Sequence, residues 1–255
     1  MAYLKRDDGV SLYYEVHGEG PVILLTHGFS ATSQMWAGNV AALSKKYKLV
    51  LWDMRGHGES DAPEDESLYS EAKTVADIAA LLDTVGAKQA VIGGLSLGGY
   101  MTLAFRRAHP ERCSALLIID TGPGFKSDEA RQGWNDYATK TSNRFATEGL
   151  APLQEMSKEM AMSKHRDPMG LARAGRLMLT QKDARIINSL PEITQPSIVI
   201  VGAEDKPFLN ATDYMAAKIP GAQKVIVPNA GHAVNIDQPR AFETAVLDFL
   251  APLKL

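Results

Sequence analysis

Six short apolar runs punctuate the chain: VILLT (22–26), KLVLWD (48–53), QAVIG (89–93), SALLIID (114–120), SIVIVG (197–202) and QKVIVP (223–228). Unbroken runs of this length suit strands of a mostly parallel sheet that is covered on both faces. SLYYEVHG (11–18) also reads as a strand, and Gly18 with Gly20-Pro21 supplies the turn that ends it. Between the runs, helical patterns lie near 34–46, 74–85, 97–108, 207–218 and 239–251. Strand and helix in alternation predict a doubly wound α/β layer structure. One interval breaks the rhythm. From Gly122 to Leu190 only helical stretches occur, such as APLQEMSKEMAM and PMGLARAGRLML. An insertion there would follow a strand's C-terminal end and sit over the sheet's ligand-binding edge. The pattern therefore predicts a core of residues 1–121 and 191–255 with a helical lid over 122–190. Met156, Met160, Met162, Met169 and Met178 all fall in that lid. Filling helix–helix contacts is their plainer role; lining an apolar substrate site is the other.

Composition narrows the class of partner. A chain of 255 residues with 45% hydrophobic and 22% charged positions is an ordinary globular protein, long enough for a substantial core. A net charge of −3 argues against a general nucleic-acid binder or an anionic-membrane binder. The single cysteine, Cys113, excludes an internal disulfide and a thiolate metal cluster. MAYLKRDDGV lacks the apolar centre of a signal peptide, and no apolar run reaches membrane-spanning length, so a cytoplasmic protein is expected. No metal-ligand spacing such as H-E-x-x-H occurs, and no cofactor is expected.

The segment GGLSLGGY (93–100) sets four glycines around one serine. Each glycine inside an element costs roughly 0.5–1 kcal/mol relative to alanine, so the site needs a reason. QAVIGG before it reads as a strand; LGGYMTLAFRRAHP after it reads as a helix that stops before Pro110. Ser96 is then the centre of a G-x-S-x-G nucleophile elbow, with Gly94 and Gly98 leaving room for a sharp strand-to-helix turn. A serine hydroxyl needs a base, and the base needs an orienting acid. Asp205 follows one strand in SIVIVGAEDKPF, and His232 follows the next in VIVPNAGHAVNIDQP. Asp120, at the end of LLIID, is the rival acid. The rival histidines are His17, His27, His57, His109 and His165, of which only His27 and His57 fall near the elbow.

With HGFS, DMRGHGES, GAED and AGHAVNIDQPRAF added to the elbow, the chain resembles the α/β-hydrolase superfamily over nearly its whole length. The resemblance implies about eight strands, mostly parallel, with the lid inserted after strand 6. It also implies that the backbone N–H groups of Phe29 and Leu97 form an oxyanion hole. The activity it implies is two-step acyl transfer through a covalent acyl-enzyme, on a small-molecule ester or lactone, as in carboxylesterases and enzymes of the 3-oxoadipate enol-lactonase type. A serine nucleophile departs from the aspartate-dependent dehalogenases and epoxide hydrolases. Carbon–carbon bond hydrolases of ring-cleavage products are similar, but commonly carry asparagine where Leu95 stands. Slow-turnover receptors of the same fold are a further alternative. His27 and His57 are expected to be structural or to support the oxyanion hole, and Asp53 with Arg55 to form a charge pair fixing the loop beside it. The lid holds 11 Lys+Arg against 8 Asp+Glu, the rest 16 against 22. That balance makes Arg173 and Arg176, on one helical face, candidates for binding a substrate carboxylate; solvated surface charge is the plainer reading.

Overall fold

In the computed structural model, which describes residues 2–255, eight strands form one sheet. They are β1 (Ala2–Lys5), β2 (Ser11–His17), β3 (Val22–Thr26), β4 (Lys48–Trp52), β5 (Ala90–Leu95), β6 (Cys113–Ile119), β7 (Ser197–Gly202) and β8 (Gln223–Val227). Their order is β1-β2-β4-β3-β5-β6-β7-β8. Pairing is parallel from β4 through β8 and antiparallel only where β2 joins β1 and β4. The apolar runs are unbroken because alternate residues feed opposite layers. Leu24, Ile92 and Ile118 join the apolar cluster on one face, while Ile23, Leu25, Val91, Leu117 and Ile119 join the cluster on the other. β1 escapes the pattern: four residues, alternately half-buried and exposed, carry too little signal to announce a strand.

Around the sheet run α1 (Ala37–Leu43), α2 (Glu71–Thr84) and α3 (Leu97–Ala108), followed by an insertion holding α4 (Asp128–Glu148), α5 (Lys158–Ala161), α6 (Pro168–Ala174) and α7 (Arg185–Asn188). After β7 come α8 (Lys206–Lys218), α9 (Val234–Asp237) and α10 (Pro239–Leu250). Helix α3 spans 97–108 as predicted, and α8 and α10 match to within a residue. The longest helix, α4, lies in the interval read as helical, but its bounds were not predicted. It buries only Ala138, Ser142 and Phe145, so it has no apolar stripe to read; Ser127, whose side chain accepts the Ala130 N–H, caps it. APLQEMSKEMAM, read as one helix, is instead a 3-10 turn over Ala151–Glu155 followed by the single turn of α5. Among the described residues of 122–190 there is no strand, and Phe145, Leu153, Leu171 and Met178 enter the same cluster as Leu24 and Ile92. No helix of the described residues is long and apolar enough to cross a membrane.

The topology fixes where chemistry can occur. β4 and β5 lie on opposite sides of β3, so the loops leaving the C-terminal ends of β3 and β5 diverge and open a crevice. Backbone strain gathers at this edge. Ser30, Ser96 and Asp120, which follow β3, β5 and β6, have φ of 53°, 56° and 42°, a region that non-glycine residues occupy at a cost of order 1–3 kcal/mol each.

Candidate active site

Ser96 stands between β5 and α3 with φ 56° and ψ −116°. Its N–H donates to the Ile119 carbonyl (3.0 Å), and its carbonyl accepts from Thr121 Oγ1 (2.6 Å), so the corner is held against β6. The flanking glycines are required by space. A Cβ on Gly94 would fall on the backbone of Gly98, and one on Gly98 would fall on the carbonyls of Thr26 and His27. Ser96 Oγ accepts no hydrogen bond among the described residues.

On the other wall, His232 Nδ1–H donates to Asp205 Oδ2 at 2.8 Å. The ring stacks on Phe208, centroids 5.1 Å apart, and its Nε2 has no protein partner among the described residues. Burial pushes the imidazole's pKa down, but the Asp205 hydrogen bond and the charges of Asp205, Asp120 and Glu159 outweigh it; the net direction is up. Asp120 is committed elsewhere. Its Oδ1 accepts the Gly202 N–H (2.8 Å) and its Oδ2 the Val234 N–H (3.3 Å), so it ties the end of β7 to the loop that carries His232. Complete burial pushes its own pKa well up. The geometry brings Asp205, not Asp120, to His232.

Phe29 and Leu97 flank Ser96 from two segments of the chain. Leu97 is the first residue of α3, where an N–H has no helical partner. The Phe29 loop passes close by: a Cβ on Gly28 would stand 3.4 Å from Ser96 Cβ. Neither amide donates to a protein group among the described residues.

Two buried imidazoles and a half-buried one grip that loop. Met54 N–H donates to His27 Nε2 (3.0 Å), so the His27 proton is on Nδ1 and donates to the Gly28 carbonyl (2.6 Å). Ser30 N–H donates to His57 Nε2 (3.2 Å), and His57 Nδ1–H donates to the Arg55 carbonyl (3.0 Å). Gly58 N–H donates to His165 Nδ1 (3.0 Å), and His165 Nε2–H donates to the Ser30 carbonyl (2.9 Å). All six ring nitrogens are committed to main-chain groups. His27 and His57 therefore hold the loop as expected of them, whereas His165 joins them from the charged stretch SKHRDP. The expected Asp53–Arg55 pair does not form. Arg55 meets Asp77 through Nε (2.6 Å) and Nη2 (2.8 Å), and Asp8 through Nη1 (2.8 Å). Asp53 instead accepts the Ser33 and Glu59 amides (2.7 and 2.9 Å), which leaves it no need of a cation.

The histidines carry a pH prediction. Burial holds His27 and His165 down to about 4 and His57 well below its ordinary range. Each is neutral in the fold but binds a proton in the unfolded chain below about 6.5, so stability is full above that pH and falls as the pH drops toward 4. At about 1.4 kcal/mol per pH unit per group, His27 alone should remove on the order of 3 kcal/mol by pH 4. His232 opposes above 6.5, because its raised pKa lets the fold take its proton first, and Asp120 and Asp53, whose carboxyls burial pushes up, offset part of the loss by taking up protons in the fold. Urea unfolding at pH 7, 6 and 5 should show ΔG falling; a flat profile would mean that the fold takes up as many protons as the unfolded chain over this range.

Two lobes meet at Ser96. One, about 320 Å³, is lined by Leu97, Tyr100, Thr121–Phe125, Trp134, Leu179, Gln181, Pro207, Phe208 and Ala211. The other, about 490 Å³, carries His232 and Asp205 with Phe29, Ser30, Met156 and Met160. Thus two of the five methionines of the insertion line the cavity, Met178 packs in the core, and Met162 and Met169 are exposed. Arg173 and Arg176 line neither lobe. Arg176 donates to Glu66 Oε1 (2.6 Å), and Arg173 faces Asp167 at 3.8 Å. Helical spacing placed them on one face; Glu66 takes up Arg176, while the buried Nη1 of Arg173 has no hydrogen-bond partner among the described residues. Among the described residues no group of His, Cys, Asp and Glu is arranged to hold a metal ion.

A family model described as alpha/beta hydrolase fold matches residues 21–239. The chain belongs to this family. Among its alpha/beta hydrolase relatives, a Bacillus subtilis (strain 168) protein provisionally named 2-succinyl-6-hydroxy-2,4-cyclohexadiene-1-carboxylate synthase is 30% identical, covering 96% of this chain and 97% of the relative. An esterase from Thermogutta terrifontis is 27% identical with a TM-score of 0.85, covering 98% of both chains. The enol-lactonase from Burkholderia xenovorans LB400 is also 27% identical, with a TM-score of 0.81 over 98% of this chain and 100% of that one.

Proposed function

We propose that this alpha/beta hydrolase is a carboxylic ester hydrolase that cleaves small neutral esters or lactones by acyl transfer to Ser96. One observation carries the reading: the strained elbow presents Ser96 to a cavity whose facing wall holds His232, already oriented by Asp205. In the reaction, Ser96 Oγ attacks the substrate carbonyl and His232 Nε2 takes the hydroxyl proton. Asp205 keeps the other ring proton on Nδ1 and stabilises the imidazolium. The oxyanion forms against the Phe29 and Leu97 amides, which need no reorganisation because no protein group competes for them. Collapse breaks the carbonyl–alkoxide bond, and the leaving oxygen takes its proton from His232. Water then attacks the acyl carbon as it gives a proton to the same nitrogen; breaking the bond to Ser96 Oγ releases the acid, and His232 returns the proton to Ser96.

That sequence assigns the lobes. The group that receives the His232 proton must lie in the lobe lined by His232, which makes the larger lobe the alcohol side and the smaller lobe the acyl side. The helical insertion supplies Trp134 and Leu179 to both, as a lid would. Its walls also bear on charge. Neither lining contains Lys or Arg, and Asp205 already contributes negative charge, so a substrate carboxylate would be desolvated without a counter-ion.

A panel of p-nitrophenyl esters tests this reading. Acetate and butyrate should turn over many times per Ser96. An ester of matched length ending in a carboxylate, such as p-nitrophenyl hydrogen glutarate, should show kcat/KM lower by at least about 30-fold, the equivalent of ~2 kcal/mol of unpaired charge. Equal rates would overturn the neutral preference. A single burst followed by stalling would favour a receptor.

A further inference from the structure

The imidazole grip on the β3 loop has a register. A trans peptide is one rigid plane, so a carbonyl and the next residue's N–H move together. His27 holds the Gly28 carbonyl, and therefore the plane that carries the Phe29 N–H. His57 holds the Ser30 N–H, in the plane joining Phe29 to Ser30. His165 holds the Ser30 carbonyl, in the plane joining Ser30 to Ala31. Three consecutive planes are each held by one imidazole, and Ser30 between the last two has the strained φ of 53°. Left alone, that residue would relax toward an ordinary conformation and turn its neighbours with it.

His27 and His57 come from the sheet edge itself. His165 does not: it lies in the insertion between α5 and α6, 135 positions from Ser30 along the chain. Its ring meets His57 edge-on, with centroids 5.9 Å apart, and its Nδ1 takes the Gly58 amide. Its neighbour Arg166 secures the same attachment, donating through Nε to Glu59 Oε2 (3.0 Å) and through Nη2 to Tyr3 Oη (3.1 Å). The insertion is thus bolted to the loop after β4 and, through one imidazole, to the loop after β3.

We propose that His165 is a positioning residue for acyl transfer: by holding the Ser30 carbonyl it makes correct presentation of the Phe29 amide depend on the insertion being seated. The inference rests on the acyl-transfer reading of Ser96. An insertion that lifts would release the Ser30 carbonyl and the Gly58 amide together, so the oxyanion donor would be assembled only over a closed cavity.

The test compares full-length wild type with His165→Ala and His165→Gln on p-nitrophenyl butyrate, beside the rate at which a p-nitrophenyl alkylphosphonate labels Ser96. Phosphonylation places an anionic oxygen at the oxyanion position, so it reads that amide without turnover. Because the group acts on transition-state charge, His165→Ala should lower kcat by about 10- to 100-fold, with KM changed less than about threefold. Phosphonylation should slow in proportion. Glutamine offers one donor and one acceptor at similar reach, so His165→Gln should recover most of the loss, which a residue that merely fills space would not show. Three results would overturn the inference: an unchanged kcat in His165→Ala, a loss confined to KM, or equal losses in the alanine and glutamine variants. Wild type that neither turns over nor labels at Ser96 would take down the acyl-transfer reading and this inference with it. Wild type that does both, beside an undamaged His165→Ala, takes down this inference alone.

Discussion

Ser96→Ala should abolish ester hydrolysis, with kcat on p-nitrophenyl butyrate falling by about 10⁵- to 10⁶-fold, because Ser96 carries the hydroxyl that the elbow presents to the cavity holding His232. The variant should fold as well as wild type. Ser96 Oγ has no hydrogen-bond partner among the described residues, so its removal leaves no group newly unsatisfied. Alanine keeps the Cβ, and the cost of φ 56° is therefore unchanged rather than relieved. Thermal melting should place Tm at or slightly above the wild-type value, the usual mark of an active site held at some expense of stability. Initial rates normalised to folded protein decide the matter. A residual rate above about 1% of wild type would show that the chemistry does not pass through this hydroxyl.

How much of this was legible in the sequence depends on how local each feature is. The elbow was legible because strand, turn and helix lie within 20 residues, and because the glycines at 94 and 98 have only one structural use there. The strands were legible because both faces of the sheet are covered, which leaves unbroken apolar runs. The bounds of helix α4 were hidden for the opposite reason: a long helix that buries three side chains looks like any polar stretch. The grip on the Phe29 loop was legible only in part: His27 and His57 lie near the elbow in sequence order, but His165 meets them only when the insertion is brought onto the loops after β3 and β4. The choice between Asp120 and Asp205 was equally non-local. β6 and β7 are adjacent strands, with Ile119 opposite Ile200, so both acids leave the sheet side by side toward the same loop. Only the backbone at Asp120, with φ 42°, turns its carboxyl down onto the Gly202 and Val234 amides. Arg173 and Arg176 illustrate the limit of periodicity: spacing fixes a shared face, but not whether Asp167 and Glu66 will be waiting there.

That divided pair of acids gives the other large effect. Asp205→Asn should lower kcat by about 10⁴-fold, since the amide no longer fixes the Nδ1–H tautomer or stabilises the imidazolium. The pH profile separates this from simple damage. His232 must be neutral to take the Ser96 proton, so kcat/KM rises as pH climbs through the His232 pKa. With that pKa raised, the wild-type limb should have its midpoint above 6.5. In Asp205→Asn the hydrogen bond and the nearest charge that raise it are gone, and the residual limb should move to lower pH. Asp120→Asn should behave differently. Its carboxamide oxygen can still accept the Gly202 N–H, but its NH₂ would then meet the Val234 N–H donor to donor. The expected cost is about 1–3 kcal/mol of stability, with kcat reduced only about tenfold as the His232 loop loosens. Its pH limb should shift far less than that of Asp205→Asn, because the Asp205 contact survives. Should Asp120→Asn suffer the 10⁴-fold loss and the displaced limb while Asp205→Asn keeps both near wild type, the acid that serves His232 is the one at the end of β6.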